Sequence, residues 1–201
     1  LMRNVIYRQG AEEIQNINVI TGNRSHPHPH DFSDRMLRMG DMIFIDVVSV
    51  FNGYKTCYYQ TFVTGRPSQR QLDVYKQAYD WLFTAIDMIK PGVSTADVAR
   101  IWPDAKELGL SSEGEAFALQ LGHGIGITHW AKPVISRMFS FEHPEEIKEG
   151  MVFALETYCG RGNDGARIEE MLVVTKDGHR MLSKFPSEKL ISCPCVGALI
   201  P

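Results

Sequence analysis

Three carboxylates sit inside runs that otherwise read as buried β-strands, and they constrain this chain more than any other feature. Asp46 interrupts MIFIDVVSV, Glu156 interrupts VFALETY, and Glu169 follows Arg167 and Ile168 in ARIEEMLVVT. An ionised carboxylate in a strand core is costly to desolvate unless a cation or strong donors meet it. Three such groups facing one cavity raise one another's pKa unless a metal neutralises them. His123 stands in GHGIG at 122–126, read here as a glycine-rich turn, and can offer a neutral imidazole nitrogen to the same place. One imidazole with several carboxylates suits Mn, Fe, Co or Zn better than a thiolate-type structural site does. Each residue also has a bland reading. Asp46 would then be a strand-edge residue, His123 a structural turn residue, and Glu169 with Glu170 a solvated face.

The surrounding pattern places these residues on elements. Residues 41–50 are rich in β-branched and aromatic side chains and predict a buried strand. Asn52-Gly53 is a hairpin signal, and 54–63 reads as the returning strand. Leu72, Tyr75, Ala78, Leu82, Ala85 and Met88 recur at helical spacing, predicting one long helix over 68–89. Ser94 looks like the cap of a second helix running to about residue 108. Residues 151–158 and 166–175 read as strands, and Lys176-Asp177-Gly178 turns the chain into a further short strand. Glu145 and Glu146 read as solvated charges at a helix start. The sum is an α+β domain with helices on one side of an antiparallel sheet.

Composition narrows the function classes. With 201 residues and 44% hydrophobic content, one domain is expected. A formal net charge of −3 gives no electrostatic reason to expect nucleic acid or an anionic membrane. No stretch approaches the roughly 20 apolar residues that cross a bilayer. The four cysteines, Cys57, Cys159, Cys193 and Cys195, form no zinc-type spacing, and their scarcity favours a reducing, cytoplasmic setting.

The order of the motifs carries a resemblance. GDMIFIDVVSVFNGYKTCYYQTF (40–62) resembles the stretch bearing two aspartate ligands in proline-specific aminopeptidases and prolidases. GHGIG resembles their histidine-ligand motif, EGMVFALET (149–157) their first glutamate motif, and ARIEEMLVVTKDG (166–178) their second. The chain thus resembles the M24 metallopeptidase superfamily of pita-bread proteins, which includes methionine aminopeptidase and creatinase. The resemblance implies a curved antiparallel sheet with helices on its outer face. It also implies a divalent metal held by Asp46, His123, Glu156 and Glu169, and hydrolysis of a small peptide or amide of the Xaa-Pro type.

Departures from the family pattern qualify that picture. The second aspartate falls eleven residues after Asp46, at Cys57. A single thiolate cannot bridge two ions as a carboxylate does, so one ion is expected rather than two, with Asp46 or Cys57 completing its shell. The family's intermediate-stabilising histidine aligns with Trp130, while His129 stands one place early. Either His129 serves after a one-residue shift or the role is gone, leaving Trp130 to line a pocket. A substrate-contacting histidine is expected from SHPHPHDFSDR (25–35), where His26, His28 and His30 compete and His28 fits best with one inserted residue. Arg167 would orient a ligand carboxylate. Gln60 replaces a family arginine, which suggests a retuning of local charge coupled to the loss at Cys57. In the working roles, Glu156 shuttles a proton while His28 and His129 steady an oxyanion.

The same fold also carries creatinase, which works without metal, an iron-bearing dimethylsulfoniopropionate lyase, and non-catalytic binding modules, so these are the alternatives. In the family, helices precede the position matching Leu1, and proline-specific members add an N-terminal domain. Residues 1–201 are therefore expected to form the catalytic domain without its first helices, leaving one apolar sheet face to be covered by further polypeptide or by a homodimer partner. A solution mass well above 22.7 kDa is the expected outcome; a stable, monodisperse monomer of that mass would contradict it.

Overall fold

The computed structural model describes residues 1–26, 33–117 and 119–194. A short exposed helix α1 (Met2–Arg8) leads into β1 (Glu13–Thr21). β2 (Met42–Phe51) and β3 (Tyr54–Thr64) form the expected hairpin. Its two-residue turn has positive φ at both Asn52 (48°) and Gly53 (77°), the conformation that matches the right-handed twist of paired strands. α2 (Gln69–Asp87) follows, capped by Ser68, whose hydroxyl accepts from the Gln71 N–H while the Gln71 side chain accepts from the Ser68 N–H.

The second helix is much shorter than the sequence pattern predicts. α3 spans only Thr95–Ala99. Pro103 lacks a backbone N–H and disfavours helical geometry at Trp102, whose ring is instead buried in the core. Two further single turns, α4 (Glu113–Ala116) and α5 (Arg137–Ser140), flank β4 (Leu121–Gly124) and β5 (Ala131–Ile135). β4 corrects the reading of GHGIG as a turn: its first three residues lie on a fully buried strand paired on both edges, to β5 and to β6 (Val152–Arg161). β6 pairs with β7 (Asp164–Val174), which pairs with β8 (His179–Met181). No helix begins at Glu145 and Glu146. Both are exposed, and Glu146 makes an isolated bridge to Ser94.

Two sheets result, one ordered β1-β2-β3-β9 and the other β5-β4-β6-β7-β8. β9 (Ile191–Cys193) joins β3 in parallel, so the first sheet is not wholly antiparallel as expected. The sheets meet where β3 approaches β7. There the Thr61 hydroxyl donates to the Arg167 carbonyl at 2.6 Å and accepts from the Arg167 N–H at 2.8 Å, a side chain standing in for a ladder bond. The outer face of β6 and β7 buries Phe153, Leu155, Ile168 and Leu172 beneath Ala78, Leu82, Ala85 and Ile86 of α2, forming the main core.

The four-stranded sheet has one face without such cover. Register pairs Ile17 with Val47 and Val19 with Ile45, and Tyr58 with Val47 across the hairpin, so these side chains share a face. All are partly or fully exposed, Val19 at 45%. At the junction of the two sheets lies an apolar groove of about 540 Å³ lined by Tyr54, Tyr58, Ile125, Met171 and Phe185, among others, and by no His, Cys, Asp or Glu.

Leu82 lies at the centre of the contact between helix and sheet and is fully buried. Leu82→Ala is expected to cost about 2–5 kcal/mol in denaturant unfolding, the range for a truncated core leucine.

Candidate metal centre

Alternation along the strands brings the singled-out polar residues to the inner side of the sheets. Asp46 on β2 stands opposite Tyr59 on β3, and Val48 opposite Cys57. Glu156 on β6 and Glu169 on β7 are directly cross-strand, an arrangement that repels if both are ionised and uncompensated. Asp46, Cys57, His123, His129, Trp130, Glu156 and Arg167 all line one cavity of about 390 Å³. Glu169 lies at its floor: its carboxylate, the Cys57 sulfur and the Asp46 carboxylate fall within 4.8 Å of one another. The three carboxylates expected to converge do converge. Glu169 and Glu170 are both buried, which removes the reading of that pair as a solvated face.

The compensation of these charges is uneven. Glu156 is held by Arg167, with Nε at 2.8 Å from Oε2 and Nη2 also in contact, and the guanidinium lies 4.2 Å over the Tyr59 ring. Arg167 thus fixes the orientation of the Glu156 carboxylate. Burial lifts the Glu156 carboxyl above its ordinary value, and Arg167 opposes that rise. Asp46 accepts from Asn18 at 3.0 Å and Asn16 at 3.3 Å, both on Oδ2, leaving Oδ1 buried and unpartnered. Burial, reinforced by the Glu156 charge, pushes Asp46 up to about 6.

Glu169 has no such support. Its side chain is fully buried with neither oxygen hydrogen-bonded, and burial followed by the charges of Glu156 and Asp46 drives its pKa well up. Facing it at 3.8 Å is Nε2 of His123, likewise buried and unpartnered. Nδ1 of His123 lies 3.0 Å from the Gly124 carbonyl. A carbonyl only accepts, so Nδ1 carries the hydrogen and Nε2 carries the lone pair. Burial also lowers the His123 pKa, which keeps the ring neutral near pH 7. Nε2 of His123 and the Glu169 carboxyl therefore face each other in a buried pocket, and a divalent cation matches that pair chemically.

The family departures resolve in space. His129 does reach the site, its Nε2 3.3 Å from Cys57 Sγ, and burial followed by the neighbouring His123 and Lys55 lowers its pKa to about 4. Trp130 is also present, stacked on the His123 ring at 4.9 Å and 8° while remaining 47% exposed at the cavity mouth. His28 and His30 lie outside the described residues. His26 is committed elsewhere, 2.6 Å from the Tyr158 hydroxyl and outside the cavity lining. Gln60 corrects the idea of a coupled charge change. It points away from Cys57 on the opposite face, accepting from Tyr75 at 3.2 Å and donating to the Pro186 carbonyl at 3.2 Å. Asn16 and Asn18 were missed by the sequence reading; their only sequence signal is a period-two polar spacing in a strand that was not recognised.

Comparison with known proteins shows the fold and the family. Among solved structures, dipeptidase PepE from Mycobacterium ulcerans superimposes with a TM-score of 0.79 at 27% identity, over 95% of this chain and 50% of that one. Prolidase from Pyrococcus furiosus gives 0.76 at 28%, over 91% and 53%. The fold is thus the pita-bread fold of metal-dependent peptidases. The model of metallopeptidase family M24 matches residues 1–176, and the chain belongs to that family. An Xaa-Pro dipeptidase of Pyrococcus furiosus is 30% identical over 186 residues, which are 90% of this chain and 51% of the relative. A probable dipeptidase PepE of Mycobacterium bovis is 32% identical over 181 residues, 86% and 46%. The chain spans about half the length of the curated relatives it matches. Among the described residues, no helix is long and apolar enough to cross a membrane.

The electrostatics predict an inverted pH dependence for metal-free protein. With Asp46 raised from 3.8 to about 6, the folded state holds more protons than the unfolded state across that window, so stability falls as pH rises through it. Asp46 alone accounts for about 3 kcal/mol of that loss. Asp46→Asn should therefore stabilise metal-free protein at about pH 8 while changing little at about pH 4, as read by thermal unfolding; equal effects at both would contradict the assignment.

Proposed function

We propose that this chain carries the metal-dependent hydrolytic site of a small-peptide or amide hydrolase, acting on substrates of the Xaa-Pro dipeptide type named for its relatives. The observation that carries this reading is the confrontation of His123 Nε2 and Glu169 Oε1 at 3.8 Å, both buried and without a hydrogen-bond partner. In this reading these two groups hold one divalent ion, with Asp46 and Cys57 at its flanks. Bound there, a divalent cation supplies Lewis acidity toward a carbonyl and toward water.

The remaining residues act on the substrate side. Glu156 is kept in a fixed orientation by Arg167 and faces the cavity, where it can accept a proton from an attacking water and return it to the leaving amine. Asn16 and Asn18 hold Asp46 in place through Oδ2. Trp130 at the mouth offers an apolar wall against which a proline ring packs. Manganese, cobalt, iron and zinc all match the donor types present. The uncovered sheet face supports a homodimer, or a covering by further polypeptide, and the scarcity of cysteine favours the cytoplasm.

Xaa-Pro dipeptides incubated with metal-loaded protein are expected to be cleaved, with activity lost on chelation. His123→Ala should weaken metal binding by more than about 100-fold, beyond the range of outer-shell changes, and abolish turnover. Folded, metal-loaded protein that leaves Xaa-Pro dipeptides intact would reject the peptidase reading in favour of different chemistry on the same fold.

A further inference from the structure

Two groups in the pocket are not explained by an oxygen-rich metal shell. Cys57 is 5% exposed, and its sulfur lies 3.3 Å from Nε2 of His129, which arrives from the loop between β4 and β5. The Cys57 sulfur and one ring nitrogen each from His123 and His129 lie within 4.8 Å of one another. A tetrahedral shell with Zn–S near 2.3 Å and Zn–N near 2.0 Å spaces its donors roughly 3.5 Å apart, so a small contraction closes the set. An independent observation points to a ligand here: the lone pair of His123 Nε2 is fully buried and unpartnered, and so are both oxygens of Glu169 beside it.

The groups that an oxygen-only shell would need are only partly available. Glu156 is bound to Arg167, and Asp46 accepts on Oδ2 from two asparagines, leaving Oδ1 as its one uncommitted oxygen. Detaching Glu156 from a buried guanidinium would strand that cation in the core. On the other side of the pocket the neighbours of Glu169 are His123 and Cys57, themselves members of the set.

We infer that the chain binds a single borderline-soft ion, zinc in preference to manganese, in a nitrogen–sulfur shell of Cys57, His123 and His129 with Glu169 as the oxygen ligand. This rests on reading the pocket as a metal centre and specifies which half of it holds the ion. His129 is then a ligand and not an oxyanion donor, and the Glu156–Arg167 half faces substrate. One thiolate and one carboxylate balance a doubly charged ion, and binding releases to solvent the protons that Cys57 and Glu169 hold.

Titration of metal-free protein with Co(II), followed by absorption, tests the assignment. The expected result is one ion per chain with a near-ultraviolet thiolate-to-cobalt charge-transfer band. Cys57→Ser should remove that band, His129→Gln should weaken Co(II) binding at least about tenfold, and Asp46→Asn should keep the band. Co(II) bound without the band, and with equal affinity in the Cys57 and His129 variants, overturns this ligand set while the metal reading stands. Protein that is folded by circular dichroism yet binds neither Co(II) nor Zn(II) overturns both. Should Cys57→Ser fail to fold, alkylation of the wild-type protein decides: protection of Cys57 by Zn(II) supports the assignment, and unchanged reactivity overturns it.

Discussion

The arrangement of this molecule depends on one confrontation: a histidine lone pair and a buried carboxyl without a hydrogen-bond partner facing each other on the inner side of the two sheets. Most of the other groups near the pocket are compensated. Arg167 answers Glu156, two asparagines answer Oδ2 of Asp46, and the Gly124 carbonyl answers Nδ1 of His123. The imbalance is concentrated at Glu169, His123 Nε2 and Oδ1 of Asp46, and buried polar atoms without partners are rare enough in folded proteins to need a physical explanation. A cation supplies one, because it satisfies both groups at once.

The fold makes this confrontation possible by stitching two sheets together along β3 and β7. Neither sheet alone holds the proposed ligand set. Cys57 comes from the first, His123 and Glu169 come from the second, and His129 comes from the loop between β4 and β5. The Thr61 hydroxyl, bonded to both the amide and the carbonyl of Arg167, locks the relative height of the two sheets at the level where the carboxylates meet. The core under α2 then fixes β6 and β7 from behind, so that Glu156 and Glu169 are presented by a rigid pair of strands. Stability and chemistry are coupled through these strands: the residues facing α2 hold the sheet, and those alternating with them hold the site.

Much of this was legible because some residues violate their local context. A carboxylate within MIFIDVVSV is conspicuous, since the flanking apolar residues announce a buried strand and the charge does not belong there. The hairpin at Asn52-Gly53 and α2 were equally legible, one from backbone chemistry and the other from periodicity. β1 was not, because its bulge between Ile14 and Asn16 breaks the alternation of the strand, and Asn16 and Asn18 beyond it turn out to be the donors that hold Asp46. GHGIG was misread because strand character there comes from partners on both edges and not from the residues themselves. The helix expected over 94–108 failed at Pro103, where backbone chemistry overruled an apparent cap at Ser94.

The replacement of a family aspartate by Cys57 acquires its meaning only from the residues around it. An isolated thiol in an apolar core would be inert. This one is surrounded by Asp46, Glu156 and Glu169, whose charges, added to burial, push its pKa well up and make a free thiolate costly. That argues against Cys57 acting as an unassisted nucleophile with His129, despite their 3.3 Å contact, because the charges that act on the thiol are those of carboxylates and Arg167 is already claimed by Glu156. A bound cation reverses the balance, lowering the cost of the thiolate and of the Glu169 carboxylate together. Losing one carboxylate at this position also removes a repulsive charge from a crowded pocket, so the substitution is compatible with retained metal binding while it shifts the site from oxygen toward sulfur.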